Sequence, residues 1–219
     1  MSDERAAFDD FTNKWRARWP EWAVAEVFVP AVQRDTAVAW FALQQEWADA
    51  AWGGSDVAPG LAKLAWWQEE LRGWAKGARR HPLGLVLQPR AVGWTPLALA
   101  LPALRARDLP AYPMQEIEDA LGAIATASAA VEQALFGGPM PATGAACAGL
   151  VAERMALAAA PDALQELRST LSSSPPGAAA PRQHRAMLSA RLDAVLRGRP
   201  WQPPSRLRSL WNAWRAARN

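Results

Sequence analysis

The chain is poor in the side chains that build disulfides, metal centres and hydrolytic triads: one cysteine and two histidines in 219 residues. The lone Cys147 cannot form an internal disulfide. Its surroundings, Ala145-Ala146-Cys147-Ala148-Gly149, predict a small buried filler and not a nucleophile. No Ser-His-Asp set, zinc-spaced Cys/His cluster or Gly-rich phosphate loop is present. No uninterrupted apolar run approaches the roughly 20 residues that a membrane-spanning helix requires. Residues 1–20 carry Asp3, Glu4, Asp9 and Asp10 and lack the basic start and apolar centre of a secretory signal. A cytoplasmic protein is expected, at most peripheral to the inner face of a membrane. Strand-like alternation is almost absent.

Charge is unevenly spread. Residues 182–219 hold nine arginines against Asp193 alone, about +8, whereas residues 1–181 hold 15 basic and 20 acidic side chains, about −5. Such a tail suits an anionic membrane surface, a nucleic acid or the protein's own acidic face. Nucleic-acid binding is not expected, because no recognition motif accompanies the arginines and the body is net acidic.

What the chain does have is helical periodicity. Phe8, Phe11, Trp15 and Trp19 form one stripe, and Leu64, Trp67, Leu71 and Trp74 another. Ile117, Leu121, Ile124, Ser128, Val131 and Leu135 share a face, and Gly137-Gly138-Pro139 ends that run. An Ala/Gly-rich helix follows at about 142–159. Pro161 and Asp162 open a helix carrying Leu164, Leu167 and Leu171. Ser172 to Gly177 breaks the pattern, so 172–181 is the candidate linker before two last helices, 182–197 and 205–218. We expect a single all-α domain, residues 1–219, a bundle of eight to ten helices without a sheet. Thirteen tryptophans are mostly core material, each indole N–H needing an acceptor once buried. A sharper expectation is that Trp40, Phe41, Trp66 and Trp67 line an apolar cavity. In the last helix Leu207, Leu210, Trp211 and Trp214 fall on one face among Arg206, Arg208, Arg215 and Arg218. This face either packs on the bundle or offers a membrane or partner surface, with Arg208, Trp211, Trp214 and Arg215 as its centre.

Lys63-Leu64-Ala65-Trp66-Trp67-Gln68-Glu69-Glu70-Leu71, followed by His81-Pro82-Leu83, resembles the WWR-E-L…HP segment of the squalene/phytoene synthase-like family. Phe28-Val29-Pro30, Arg34 and Trp40-Phe41-Ala42-Leu43 are similar to that family's entry into its first conserved helix. Thr143 to Leu150 is similar to the helix that precedes its second aspartate motif. The likeness implies an isoprenoid-synthase type of bundle with an apolar cavity. In such enzymes, aspartates one turn apart on two facing helices clamp a prenyl diphosphate through magnesium ions.

Carried over residue by residue, however, the first motif puts Ala48 and Trp52 at the ligand positions and leaves Glu46 and Asp49 as the nearest carboxylates, an i, i+3 pair. The second motif becomes Val151-Ala152-Glu153-Arg154-Met155-Ala156-Leu157-Ala158, without an aspartate. Asp9 and Asp10, and Glu116, Glu118 and Asp119, are expected at helix beginnings, where carboxylates favour the dipole. Gln68 stands where the family has arginine. His81 is expected to end a helix, and His184 to lie on the surface.

Three readings stand open on sequence. One is a catalytically degenerate family member, without a cofactor, that binds an isoprenoid-like apolar ligand or a protein partner; some relatives of this type resemble the respiratory-complex assembly factors that likewise lack intact aspartate motifs. The second is an active magnesium-dependent prenyl transferase, and the third a docking module using the terminal helix. Oligomeric state is open in all three.

Overall fold

The computed structural model describes residues 2–105, 113–158, 160–173 and 177–218. Among them there are eleven α-helices, three short 3-10 turns and no strand. The all-α expectation holds, and the helix count exceeds it because two of the eleven, α2 (Trp22–Ala25) and α5 (Gly84–Leu87), are single turns that no periodicity announces.

The organising element is α3 (Arg34–Trp52), in which every residue from Thr36 to Leu43 is buried. A helix apolar all round must be enclosed, and α3 is wrapped by α1 (Ser2–Arg18), α4 (Val57–Trp74), α8 (Thr143–Ala158) and α10 (Ala179–Val195). The small residues at Ala37, Ala39 and Ala42 let these neighbours approach. Asp56 begins α4 by accepting the Ala58 N–H at 3.0 Å, an N-cap. α6 (Trp94–Ala100) lies on α4 and leads through the 3-10 turn Leu101–Arg105 toward α7 (Met114–Phe136).

α7 buries Ile117, Leu121, Ile124, Ser128 and Val131 as its spacing predicts. Its stop is conformational: Gly137 and Gly138 take φ of 76° and 81°, values that L side chains rarely adopt. A side chain at Gly138 would also meet the Ala178 backbone nitrogen at 3.0 Å, since the chain entering α10 passes against this corner. α7, α8 and α9 (Pro161–Ser172) run as successive neighbours, and α10 closes over all three. The candidate linker 172–181 falls partly outside the described residues, and α10 starts earlier than the sequence suggests, at Ala179.

α10 is fastened to the start of the chain by a buried ion pair. Arg191 Nε and Nη2 donate to Glu21 Oε1 and Oε2 at 2.7 and 2.9 Å, and Nη2 donates to the Arg18 carbonyl at 2.8 Å. The guanidinium stacks 3.8 Å from the Trp19 ring, so a costly buried charge is paired with a carboxylate, bonded to a carbonyl and covered by an aromatic face. The tryptophans depart from expectation in one respect. Trp19 and Trp74 find acceptors in Gln45 and Glu70, but the buried indoles of Trp22, Trp47, Trp67 and Trp94 find none among the described residues. These four rings sit instead in edge-to-face aromatic pairs, with centroids 5.0 to 6.3 Å apart.

Candidate functional site

The tryptophan pair divides its duties. Trp67 is fully buried, whereas Trp66 is 37% exposed and lies under the Arg80 guanidinium at 5.3 Å. The chemistry of this segment resides in Glu70, whose side chain is 1% exposed. Its Oε1 accepts Trp74 Nε1 at 2.9 Å and the backbone N–H groups of Arg80 and His81 at 2.7 and 2.9 Å. Its Oε2 takes Arg80 Nε at 2.9 Å. Burial pushes the carboxyl upward and these donors outweigh it, holding Glu70 below its ordinary pKa. Glu70 therefore ties the end of α4 to the His81-Pro82 corner. His81 is packed against Phe11 and Trp67, both with ring centroids 4.5 Å away, and its Nδ1 accepts the Leu83 N–H. Burial and nearby Lys63 lower it to about 4 despite Glu70. Gln68 donates to the Ala98 carbonyl on α6. The segment is an architectural staple.

A second cluster joins residues far apart in sequence. Arg18, the last residue of α1, places Nη1 3.1 Å from Asp49 Oδ2 on α3 and Nη2 2.7 Å from Glu153 Oε1 on α8. Gln45 bridges the same two carboxylates, its Nε2 donating to Asp49 Oδ1 at 3.1 Å and Glu153 Oε2 at 3.2 Å. The Trp19 indole can only donate, and it donates to Gln45 Oε1 at 3.2 Å, which fixes the amide with its NH2 toward the acids. Burial works against the Arg18 charge, but Glu153 and Asp49 overcome it and raise its pKa. Glu46 borders the same 90 Å³ cavity as Arg18 and Asp49 but pairs with Lys63 on α4, at 2.5 Å. The i, i+3 pair is thus split between two cations. Ala48 faces a 40 Å³ cavity together with Glu153, and Trp52 lies under the Arg154 guanidinium at 5.6 Å. Among the described residues, no group of three or more His, Cys, Asp or Glu side chains could hold a metal ion.

Of the four residues expected to line an apolar cavity, Phe41 alone borders a described one, the 40 Å³ space. Trp40 and Trp67 are fully buried, and Trp66 is at the surface. Large rings on a helix enclosed on all sides fill the space between its neighbours, and here they leave solvent-sized gaps. His184 is not a surface residue: it stacks on Phe41 at 4.1 Å and borders two cavities of about 40 and 50 Å³. Burial, then the charges of Arg185 and Arg191, lower its pKa to about 3. In the larger of the two, Glu132 faces Arg185 at 3.7 Å, and its burial raises its pKa even against that cation. Cys147 is fully buried, and its thiol is pushed up to about 12 by desolvation and Glu118, as suits a filler.

The remaining acidic clusters are structural. Asp9 and Asp10 lie in the middle of α1, which begins earlier than expected, and Asp9 pairs with Arg5. Gln115 donates to Asp119 within α7.

The terminal helix α11 (Arg206–Arg218) is turned opposite to the simplest packing. Its small residues Ser209 and Ala213 are buried, with Gln183 of α10 donating to the Ala213 carbonyl at 2.9 Å. Leu207, Leu210, Trp211 and Trp214 are 83%, 46%, 57% and 38% exposed. The two indoles stack with centroids 5.0 Å apart, and Arg218 lies 4.7 Å over Trp214.

No known family, curated protein or solved structure matches the chain. No helix among the described residues is long and apolar enough to cross a membrane.

Proposed function

We propose that the chain is a catalytically inactive bundle of the squalene/phytoene synthase-like kind that works by binding a partner. One observation carries this reading: Arg18 lies between Asp49 and Glu153, bonded to both. The resemblance assigns metal-bearing carboxylates to the helices that hold these two residues. A guanidinium between them supplies one delocalised positive charge where a magnesium cluster would supply several. Being held by two carboxylates and backed by Gln45, that guanidinium is not free to grip a diphosphate. The neighbouring cavities, about 40, 50 and 90 Å³, accommodate a few waters each at the ~10–15 Å³ a water needs. Binding at the outer surface therefore fits better than burial of a prenyl chain.

Titration with magnesium chloride, followed by calorimetry, tests the reading. The native chain is expected to show no saturable magnesium binding, whereas Arg18→Ala, which leaves Asp49 and Glu153 facing one another, is expected to gain a weak site. Saturable binding to the native chain that disappears in Glu153→Ala overturns the proposal.

A further inference from the structure

Apolar side chains left on the outside of a helix that has smaller ones to spare are a choice of orientation. On α11, Leu207, Leu210, Trp211 and Trp214 recur at i, i+3, i+4 and i+7 and form one continuous outward stripe. At 100° per residue, Arg208 and Arg215 fall along one border of that stripe and Arg206 along the other, with Arg218 at its far end. None of these four, nor Arg197 or Arg199 before them, has an ion-pair partner among the described residues, whereas twelve ion pairs tie acids and bases elsewhere. No acidic side chain follows Asp193.

We propose that α11 is a membrane-surface anchor, lying in the plane of an anionic phospholipid bilayer with the Trp211–Trp214 pair in the headgroup region. Three features of this helix fit a lipid surface. The stripe is apolar at its centre and bordered by cations of long reach, the arrangement in which arginine stems lie on the apolar boundary and their charges meet phosphates. Tryptophan, with an apolar ring and one N–H donor, partitions to that boundary. A protein interface of ordinary size carries about ten directional hydrogen bonds, and among the described residues of α11 the outward face offers arginine guanidinia and indoles with no acidic side chain to specify a partner. The helix is already folded and held to α10 through its small face, so docking requires no ordering of the chain. The Arg18 bridge takes no part in this face, so the inference stands or falls separately from the catalytic one.

Flotation with phosphatidylcholine vesicles containing about one third phosphatidylglycerol is the test, using the full chain. Binding is expected to weaken by at least about tenfold in W211A/W214A through lost apolar burial. It should weaken by about thirtyfold in R208A/R215A, and steeply as salt is raised from about 0.1 to 0.5 M. Brominated lipids are expected to quench part of the tryptophan emission in the native chain and much less in W211A/W214A. All four substituted side chains are exposed or at the surface of α11, so unchanged unfolding transitions certify the variants. Absence of flotation, equal flotation with pure phosphatidylcholine, or flotation unaffected by W211A/W214A overturns the proposal and leaves the stripe to an acidic protein partner.

Discussion

Replacing Glu70 is the sharpest probe of how this bundle is fastened. Four donors converge on its carboxylate, three of them on Oε1. Removing it in Glu70→Ala strands the Trp74 indole in a buried place, which costs about 1–3 kcal/mol. The Arg80 and His81 backbone N–H groups are partly within reach of water, so each adds a smaller amount. The Arg80 ion pair adds little, because that guanidinium is 61% exposed. The total is about 3 kcal/mol, which for a chain of this length shifts Tm by about 6–12 °C. Glu70→Gln keeps an oxygen for the three bonds to Oε1 but turns an amide N–H2 toward Arg80, so it should lose about half as much. Urea unfolding followed by tryptophan fluorescence orders the three proteins. Glu70→Ala within about 0.5 kcal/mol of the native chain, or Glu70→Gln as stable as the native chain, refutes the account of the staple. Because the folded pKa of Glu70 lies below its ordinary value, its contribution is complete above the unfolded carboxylate range and fades as pH falls through the depressed folded value. Glu70→Gln should flatten that part of the acid limb.

Two further outcomes follow from buried charge and its avoidance. Arg191→Ala leaves Glu21 buried without a partner and should destabilise the chain by about 3–5 kcal/mol. Glu21→Gln/Arg191→Met should be milder than either single change in the same urea assay, and a loss under about 1 kcal/mol for Arg191→Ala contradicts the packing described. His184 is neutral in the fold, with a pKa of about 3 against an ordinary 6.5. Between these values the unfolded chain takes up a proton that the folded chain refuses, so stability falls as pH drops below about 6.5. His184→Phe, which keeps the stack on Phe41, should therefore gain about 2–3 kcal/mol over the native chain at about pH 4.5 while changing little at neutral pH. Parallel pH profiles for the two proteins would refute this.

The regularities of single helices were legible in the sequence. The α7 face and its glycine stop, the Ala-rich α8 and the Pro161 start of α9 each depend on residues within a few turns of one another. Interactions that the fold makes between distant residues were not. Nothing near Arg18 announces Asp49 and Glu153, and nothing near Glu21 announces Arg191. The Trp66 to Pro82 segment could be picked out as unusual, yet its working atom is the Glu70 carboxylate, which sequence alone offers as one of an acidic pair. Glu69 of that pair merely meets Arg72 at the surface. For α11 the hydrophobic pattern was visible, but its direction was set by Ser209 and Ala213, whose small size lets the helix backbone approach α10. An apolar stripe read by itself says nothing of whether a neighbour prefers the smaller face.

The central proposal is that the positions facing each other on α3 and α8 do not support ionisation of a prenyl diphosphate. The most direct measurement is pyrophosphate release from farnesyl diphosphate by the purified chain with magnesium. The account predicts none above the rate without protein. Magnesium-dependent release that is lost in Asp49→Ala or Glu153→Ala would contradict it.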